Sequence, residues 1–237
     1  MSRLSDNRLL CFDVYGTLVD WESGLEAALK PLLEKGNAHV SRAEILKMFE
    51  ELEHEQQTLT PDMPYYQVLA SVHPKIAQRL SLPPPTEEES VKFGESVGTW
   101  PAFPDTVEAL KRLSKHFKLV VLSNVDRESF AKTNAGSLEG IHFDRIITAQ
   151  DIGSYKPDLR NFEYMLKTVQ SELGVEKEQV LSTAQSQFHD HRPASKVGIK
   201  SVWIQRQGSI IGNVSDPIYN WRFDTLGDMA TAVEGGQ

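Results

Sequence analysis

Apolar positions follow two different rhythms along the chain. Leu9-Leu10-Cys11-Phe12 is a short continuous apolar run that ends in Asp13 and meets a turn signal at Gly16. That length and that boundary predict a strand buried on both faces. From Trp21 to Gly98 the period becomes helical and no strand pattern occurs. Leu25, Ala28, Leu29, Leu32 and Leu33 predict a helix over Trp21 to Gly36, with a kink or break at Pro31. Ser41, with Glu44 three residues on, forms a capping box for a helix from Arg42 to about Gln57 that presents Ile45, Met48, Phe49 and Leu52. Its polar residues Glu50, Glu51, Glu53, His54 and Glu55 read as a solvated acidic face. Tyr65 to Leu80 predicts a helix interrupted near Pro74, and Thr86 with Glu89 opens another that runs to about Ser96.

Beyond Trp100-Pro101-Ala102-Phe103-Pro104 the rhythm alternates. Strands are expected at Leu119-Leu122, Ile146-Ala149, Val180-Ala184 and Lys200-Ile204, the last clear one. Helices are expected from Asp105 as cap to His116, Ser129 to Ala135, Asn161 to Leu173, Arg192 to Val197, and at the surface from Asp224 onward. Such alternation implies right-handed βαβ units and a parallel sheet with helices on both faces. The fold class is therefore α/β, with a core formed by 1–19 and 99–237 and a helical cap, 20–98, inserted after the first strand.

Composition narrows the function. The 237 residues are 40% hydrophobic and 24% charged, which suits a globular chain. The net charge of −8 argues against a nucleic-acid surface and requires any anion site to carry its own positive charge. No apolar run approaches the roughly 18 residues of a membrane span, and the N-terminus lacks a signal-peptide core. The one cysteine, Cys11, allows no internal disulfide, lies within the first strand and reads as an inert buried thiol. Cytoplasmic location is expected.

Candidate chemistry gathers beyond the strands. In a parallel sheet, ligands bind outside the carboxyl ends of the strands, and Asp13 is the first polar side chain there. Ser123-Asn124 follows the second strand with a hydroxyl and an amide suited to a carboxylate, phosphate or halide. Lys156 lies in the loop after the third strand, and Gln185-Ser186-Gln187-Phe188-His189-Asp190 follows the fourth. Taken singly, each is ordinary turn or surface chemistry.

Together they resemble the four motifs of the haloacid dehalogenase (HAD) superfamily, in order. Asp13-Val14-Tyr15-Gly16-Thr17-Leu18 is similar to the first motif, Ser123-Asn124 to the second, Lys156-Pro157-Asp158 to the third, and Gln185 to Asp190 to the fourth. Tyr15 stands where phosphatases of the superfamily place a second Asp, which resembles the L-2-haloacid dehalogenase branch. The resemblance implies a HAD-like Rossmannoid core and a hydrolase with Asp13 as nucleophile. Thr17, Ser123, Lys156 and Asp190 would complete the catalytic set, and Tyr15, Asn124, Gln185, Gln187 and His189 would face substrate. It implies no cofactor, and no metal because Gln185 replaces an acidic ligand. The implied partner is a small anionic substrate, with a homodimer as a further expectation. One departure concerns the Arg that haloacid dehalogenases carry in the early cap: only Arg42 and Lys47 lie near that place. Two alternatives to a dehalogenase stay open, a phosphatase on a small phosphate ester and a non-catalytic binding or regulatory protein on the same scaffold.

Overall fold

The computed structural model describes residues 3–236. Its centre is strand β1 (Leu9–Phe12), buried at every residue. Successive side chains of a strand point to opposite faces, so Leu10 and Phe12 enter one core and Leu9 and Cys11 another. β1 pairs in parallel with β2 (Lys118–Ser123) and with β4 (Val180–Ala184), with Cys11 opposite Val120 and Ser182. β3 (Arg145–Thr148) flanks β2, and β5 (Lys200–Ile204) flanks β4. A sixth strand, β6 (Trp221–Phe223), closes the parallel order β3-β2-β1-β4-β5-β6.

Helices cover both faces, as continuous apolar strands require. On the Leu9 face, α8 (Leu159–Leu173) and α9 (Arg192–Val197) contribute Phe162, Met165, Val169 and Ala194. On the Leu10 face, α5 (Thr106–Leu113) and α10 (Leu226–Glu234) contribute Leu110, Leu113, Leu226 and Met229. The final helix is thus amphipathic and half in the core. Each fully buried side chain of this size is worth about 1.5–3 kcal/mol.

Between β1 and α5 lie α1 (Trp21–Lys35), α2 (Arg42–Leu59), α3 (Tyr65–Arg79) and α4 (Glu87–Glu95). The expected breaks at Pro31 and Pro74 do not occur; both helices run through the proline. Each proline forfeits one backbone hydrogen bond, and burial of Leu29 and Leu32, or of Val72 and Ile76, on its flanks holds the helix together. The capping boxes at Ser41 and Thr86 are present. Asp105, expected to cap α5, makes no such bond. It accepts instead from Arg206 Nη1 at 2.6 Å and from the Gly227 amide at 3.0 Å, tying α10 to the sheet.

Because all the strands are parallel, their carboxyl ends share one rim. The chain winds from β1 outward through β2 and β3, then crosses back to β4, so the rim at β1 is the topological switch point where ligands bind. Asp13 and Gln185 follow β1 and β4, and Ser123 ends β2, so all three lie at the carboxyl ends of the three adjacent central strands. Two short helices, α6 (Arg127–Ala135) and α7 (Ala149–Ile152), follow β2 and β3, and the loop after α7 carries Lys156 to the same place.

Candidate active site

Lys156 joins two carboxylates. Its side chain is 1% exposed, and Nζ donates to Asp13 Oδ1 at 3.0 Å, to Asp190 Oδ1 at 2.6 Å and to the Leu122 carbonyl at 2.9 Å. An ammonium has three hydrogens, and all three are committed. Burial opposes the Lys156 charge, but Asp13 and Asp190 together hold its pKa above the ordinary value. The Asp190 carboxyl is displaced upward by burial, with Lys156 pulling the other way and Asp13 adding to the rise.

The second oxygen of Asp13 is fixed by its own loop. Gly16, at φ +96°, takes a conformation that favours glycine, and the turn brings Thr17 back to its strand. Thr17 Oγ1 donates to Asp13 Oδ2 at 2.6 Å and accepts from the Gln185 amide at 2.9 Å, so one hydroxyl ties the first loop to the fourth. Both Asp13 oxygens are held, yet the carboxylate lines a cavity of about 90 Å³.

Asn124 and Ser123 both line the cavity. The Asn124 amide donates to the Lys156 carbonyl at 3.0 Å and accepts from the Lys156 amide at 2.7 Å. It holds the lysine loop and reaches the cavity with the remainder of its side chain. Ser123 does not bond the carboxylates. Its Oγ, in a residue 2% exposed that lines the cavity, lacks a hydrogen-bond partner among the described residues, as does Asp190 Oδ2. Both atoms are buried, in residues that line the cavity beside Asp13. Tyr15 walls the cavity with its ring, while its hydroxyl turns away to Thr133 Oγ1 at 2.8 Å and burial raises its pKa. A phenol so placed is no proton donor to a leaving group.

In the fourth loop, Gln185 lines the cavity but spends its Nε2 on Ser209 Oγ at 3.0 Å, the Ile211 carbonyl at 2.9 Å and Asn213 Oδ1 at 3.3 Å. Gln187 corrects the expectation of a substrate contact. It sits in a π-helical turn, fully buried outside the cavity lining, where Oε1 accepts from the Ile218 amide at 2.8 Å. His189 lines the cavity beside Ser186, and burial lowers its pKa to about 4. His191 is structural. Its Nε2 donates to the Ala184 carbonyl, and in the neutral ring Nδ1 accepts from Ser201 Oγ. Burial lowers its pKa to about 4 as well. Cys11 is the expected inert thiol, buried and pushed up to about 12.

Magnesium, which the superfamily's phosphatases use, does not fit this donor set. It prefers carboxylate oxygens in octahedral geometry. Asp13 has both oxygens on Lys156 and Thr17, Asp190 has one on Lys156, and Gln185 offers a neutral amide already bound to the 209–213 loop. No cluster of three or more potential metal ligands occurs among the described residues.

The opposite wall comes from the inserted helices and was largely missed in the sequence. Trp21, Glu22, Glu50, Glu53, Gln57 and Tyr65 line the cavity. The supposed acidic face is in fact split. Residues 50, 53 and 57 share one stripe of α2, while Glu51 and Glu55 pair with Arg79 of α3 on another. Residues 50 to 55 span more than one helical turn and cannot share one face. The Tyr65 hydroxyl donates to Glu53 Oε1. Burial raises the Glu53 carboxyl to about 7, with the hydrogen bond from Tyr65 opposing and the charge of Glu50 adding. Arg42 pairs with Glu22 and Glu26 at 3.0 and 2.7 Å, and neither it nor Lys47 lines the cavity. The spacing of Glu53, four residues after Phe49 and four before Gln57, was the available signal.

A parallel α/β sheet whose switch-point rim carries a carboxylate, a hydroxyl, an ammonium and a second carboxylate defines a class of hydrolase. The sequence model of one family, described as haloacid dehalogenase-like hydrolase, matches residues 8–181. The chain belongs to that family. It is 24% identical over 208 residues to the (S)-2-haloacid dehalogenase H-109 of Pseudomonas putida, covering 85% of this chain and 87% of that protein. Its fold is similar to the L-2-haloacid dehalogenase of Xanthobacter autotrophicus, with a TM-score of 0.78 and 19% identity over 98% of this chain and 100% of the other. The same enzyme with chloropropionic acid covalently bound gives a TM-score of 0.77 and 19% identity over 98% and 100% of the two chains.

Proposed function

We propose that the chain is a metal-independent 2-haloacid dehalogenase in which Asp13 is the nucleophile. The observation that carries this reading is the single ammonium of Lys156 between Asp13 and Asp190, with no free acidic group at Gln185. An oxygen of Asp13 attacks C2 of a small haloacid, the carbon–halogen bond breaks, and halide leaves with the electron pair. An ester links Asp13 to C2. Water then attacks the ester carbonyl carbon, giving one proton to Asp190; as the acyl–oxygen bond breaks, Asp190 returns that proton to the departing oxygen, so that the 2-hydroxy acid leaves with an oxygen that belonged to Asp13, and the water's second proton is released as the Asp13 carboxylate is regenerated. Covalent catalysis of this kind divides one difficult displacement into two easier steps. Halide needs no proton to leave, which suits a site whose tyrosine hydroxyl is turned away.

Supporting roles follow from the contacts. Lys156 and Thr17 each hold one oxygen of Asp13 and aim the carboxylate. Ser123 Oγ offers a hydrogen bond to the substrate carboxylate, and Asp190 Oδ2 faces the place of the attacking water. The inserted helices, 20–98, act as a cap that excludes bulk water, and the 90 Å³ space admits a substrate of a few heavy atoms. Among the described residues no helix is long and apolar enough to cross a membrane. Location in the cytoplasm and assembly as a homodimer are parts of the same proposal; sedimentation analysis decides the second. The test of function is chloride release from L-2-chloropropionate in the presence of chelator. Release by the wild type and none by Asp13→Asn supports the reading; no release by the wild type ends it.

A further inference from the structure

Past the fourth motif lies a buried charge for which the proposed reaction has no use. Arg206 follows β5 and is 5% exposed. All three nitrogens of its guanidinium are bound within the protein. Nε donates to the Thr17 carbonyl at 2.9 Å, Nη1 to Asp105 Oδ1 at 2.6 Å and Nη2 to Thr106 Oγ1 at 3.2 Å. The same group lies 4.1 Å from the centre of the Phe103 ring. The Thr106 hydroxyl in turn donates to the Leu18 carbonyl at 2.8 Å. One planar group therefore holds two successive carbonyls of the loop after β1, the first directly and the second through Thr106. Arg206 keeps this place although its φ is +49°, a left-handed conformation uncommon for a residue other than glycine.

Thr17 is the residue whose hydroxyl donates to Asp13 Oδ2 and accepts from the Gln185 amide. It is fully buried, so no solvent replaces a donor withdrawn from its carbonyl. An unpaired buried carbonyl is costly, and a shift of that peptide toward another donor displaces the hydroxyl beside it. We infer that Arg206 is a positioning residue for the nucleophile: it fixes the Thr17 peptide and thereby aims the Asp13 carboxylate. This rests on the reading of Asp13 as a nucleophile toward C2. The backbone of Arg206 adds a second hold on the same junction. Its carbonyl accepts from the Ser209 amide at 3.1 Å, and Ser209 Oγ accepts from Gln185 Nε2. A lysine does not substitute, because one ammonium nitrogen cannot stand at the three places that the guanidinium fork reaches.

The test is a double-mutant cycle, read in kcat and KM for chloride release from L-2-chloropropionate by the full chain. Arg206→Lys should lower kcat about tenfold, with KM changed by less than about threefold. In a Thr17→Val background the same substitution should cost less than about twofold, because the hydroxyl that it positions is already gone. A general loosening of the fold would instead multiply the two losses. The full loss in both backgrounds therefore overturns the inference, as does an Arg206→Lys enzyme with wild-type kcat. If Arg206→Lys does not fold, Asp105→Asn takes its place in the cycle; it removes the charge that orients Nη1, leaves Arg206 intact and should lower kcat about threefold. Absence of chloride from the wild type removes the dehalogenase reading, and the crystal structure of the folded variant then decides the positioning role alone. Thr17 Oγ1 out of hydrogen-bond distance from Asp13 Oδ2 supports it, and Thr17 Oγ1 still at 2.6 Å overturns it.

Discussion

Replacing Lys156 by methionine tests the assembled site through stability as well as activity. The substitution keeps most of the apolar stem and deletes an ammonium that makes three buried hydrogen bonds. Asp13 and Asp190 each place an oxygen on that nitrogen, at 3.0 and 2.6 Å, so those oxygens lie at most about 5.6 Å apart (3.0 plus 2.6). At an effective dielectric constant near 20, two unit charges at that distance repel by about 3 kcal/mol, or roughly two pKa units. Breaking a buried ion pair by removing one partner costs about 3–5 kcal/mol, a large share of the ~5–15 kcal/mol of a whole domain. The Lys156→Met variant should therefore lose about 3–5 kcal/mol of unfolding free energy at pH 8. The loss should shrink at pH 5. In the variant the paired carboxylates have a folded pKa above the unfolded value, so one shared proton stabilises the fold at low pH, and that stabilisation disappears as pH rises through the folded pKa. Adding Asp190→Asn removes the repulsion and should recover about 2 kcal/mol or more at pH 8. Urea unfolding at the two pH values measures all of this, and turnover should fall by about a thousandfold. Equal midpoints for variant and wild type at pH 8, or the same loss at pH 5 and pH 8, would show that the two carboxylates do not share one ammonium in solution.

Two further outcomes follow from single side chains. Thr17→Val deletes the hydroxyl that donates to Asp13 and accepts from Gln185, so kcat should fall about 10- to 100-fold, the equivalent of a charge-assisted hydrogen bond, while Lys156→Met remains far more damaging. His191 is held neutral with its pKa lowered to about 4, so the unfolded chain takes up a proton near 6.5 that the fold refuses. Its contribution to stability is present above 6.5 and is lost as pH falls toward 4, whereas Glu53 and Asp190, raised in the fold, act with the opposite sign. His191→Gln should flatten the acid-side decline in thermal midpoint between pH 6.5 and 4.

The core strands were legible because each is a continuous apolar run and both faces are buried. β6 was not. Trp221-Arg222-Phe223 is three residues at the sheet edge with its middle residue exposed, and it gives no run to detect. The breaks expected at Pro31 and Pro74 followed local backbone rules, which tertiary packing overrode. Asp13, Lys156 and Asp190 were found by their places after strands and by motif spacing, and the structure brings them together. Gln187 had the right loop but faces inward, since a wide helical turn after Ser186 rotates it toward Ile218. Asn124 lines the cavity, and its additional hold on the Lys156 loop was not foreseen because a contact with the backbone of Lys156 leaves no trace in composition. The acids of α2 were assigned by sequence adjacency, whereas helical geometry sends Glu50 and Glu53 to the cavity and Glu51 and Glu55 to Arg79.

Isotope tracing reports most directly on whether Asp13 bonds to substrate carbon. A single turnover of L-2-chloropropionate by excess enzyme in 18O-water should leave the product unlabelled and place one heavy oxygen in the peptide that contains Asp13. Label in the 2-hydroxy acid, with none in that peptide, would mean that water attacks carbon directly and that no aspartyl ester forms.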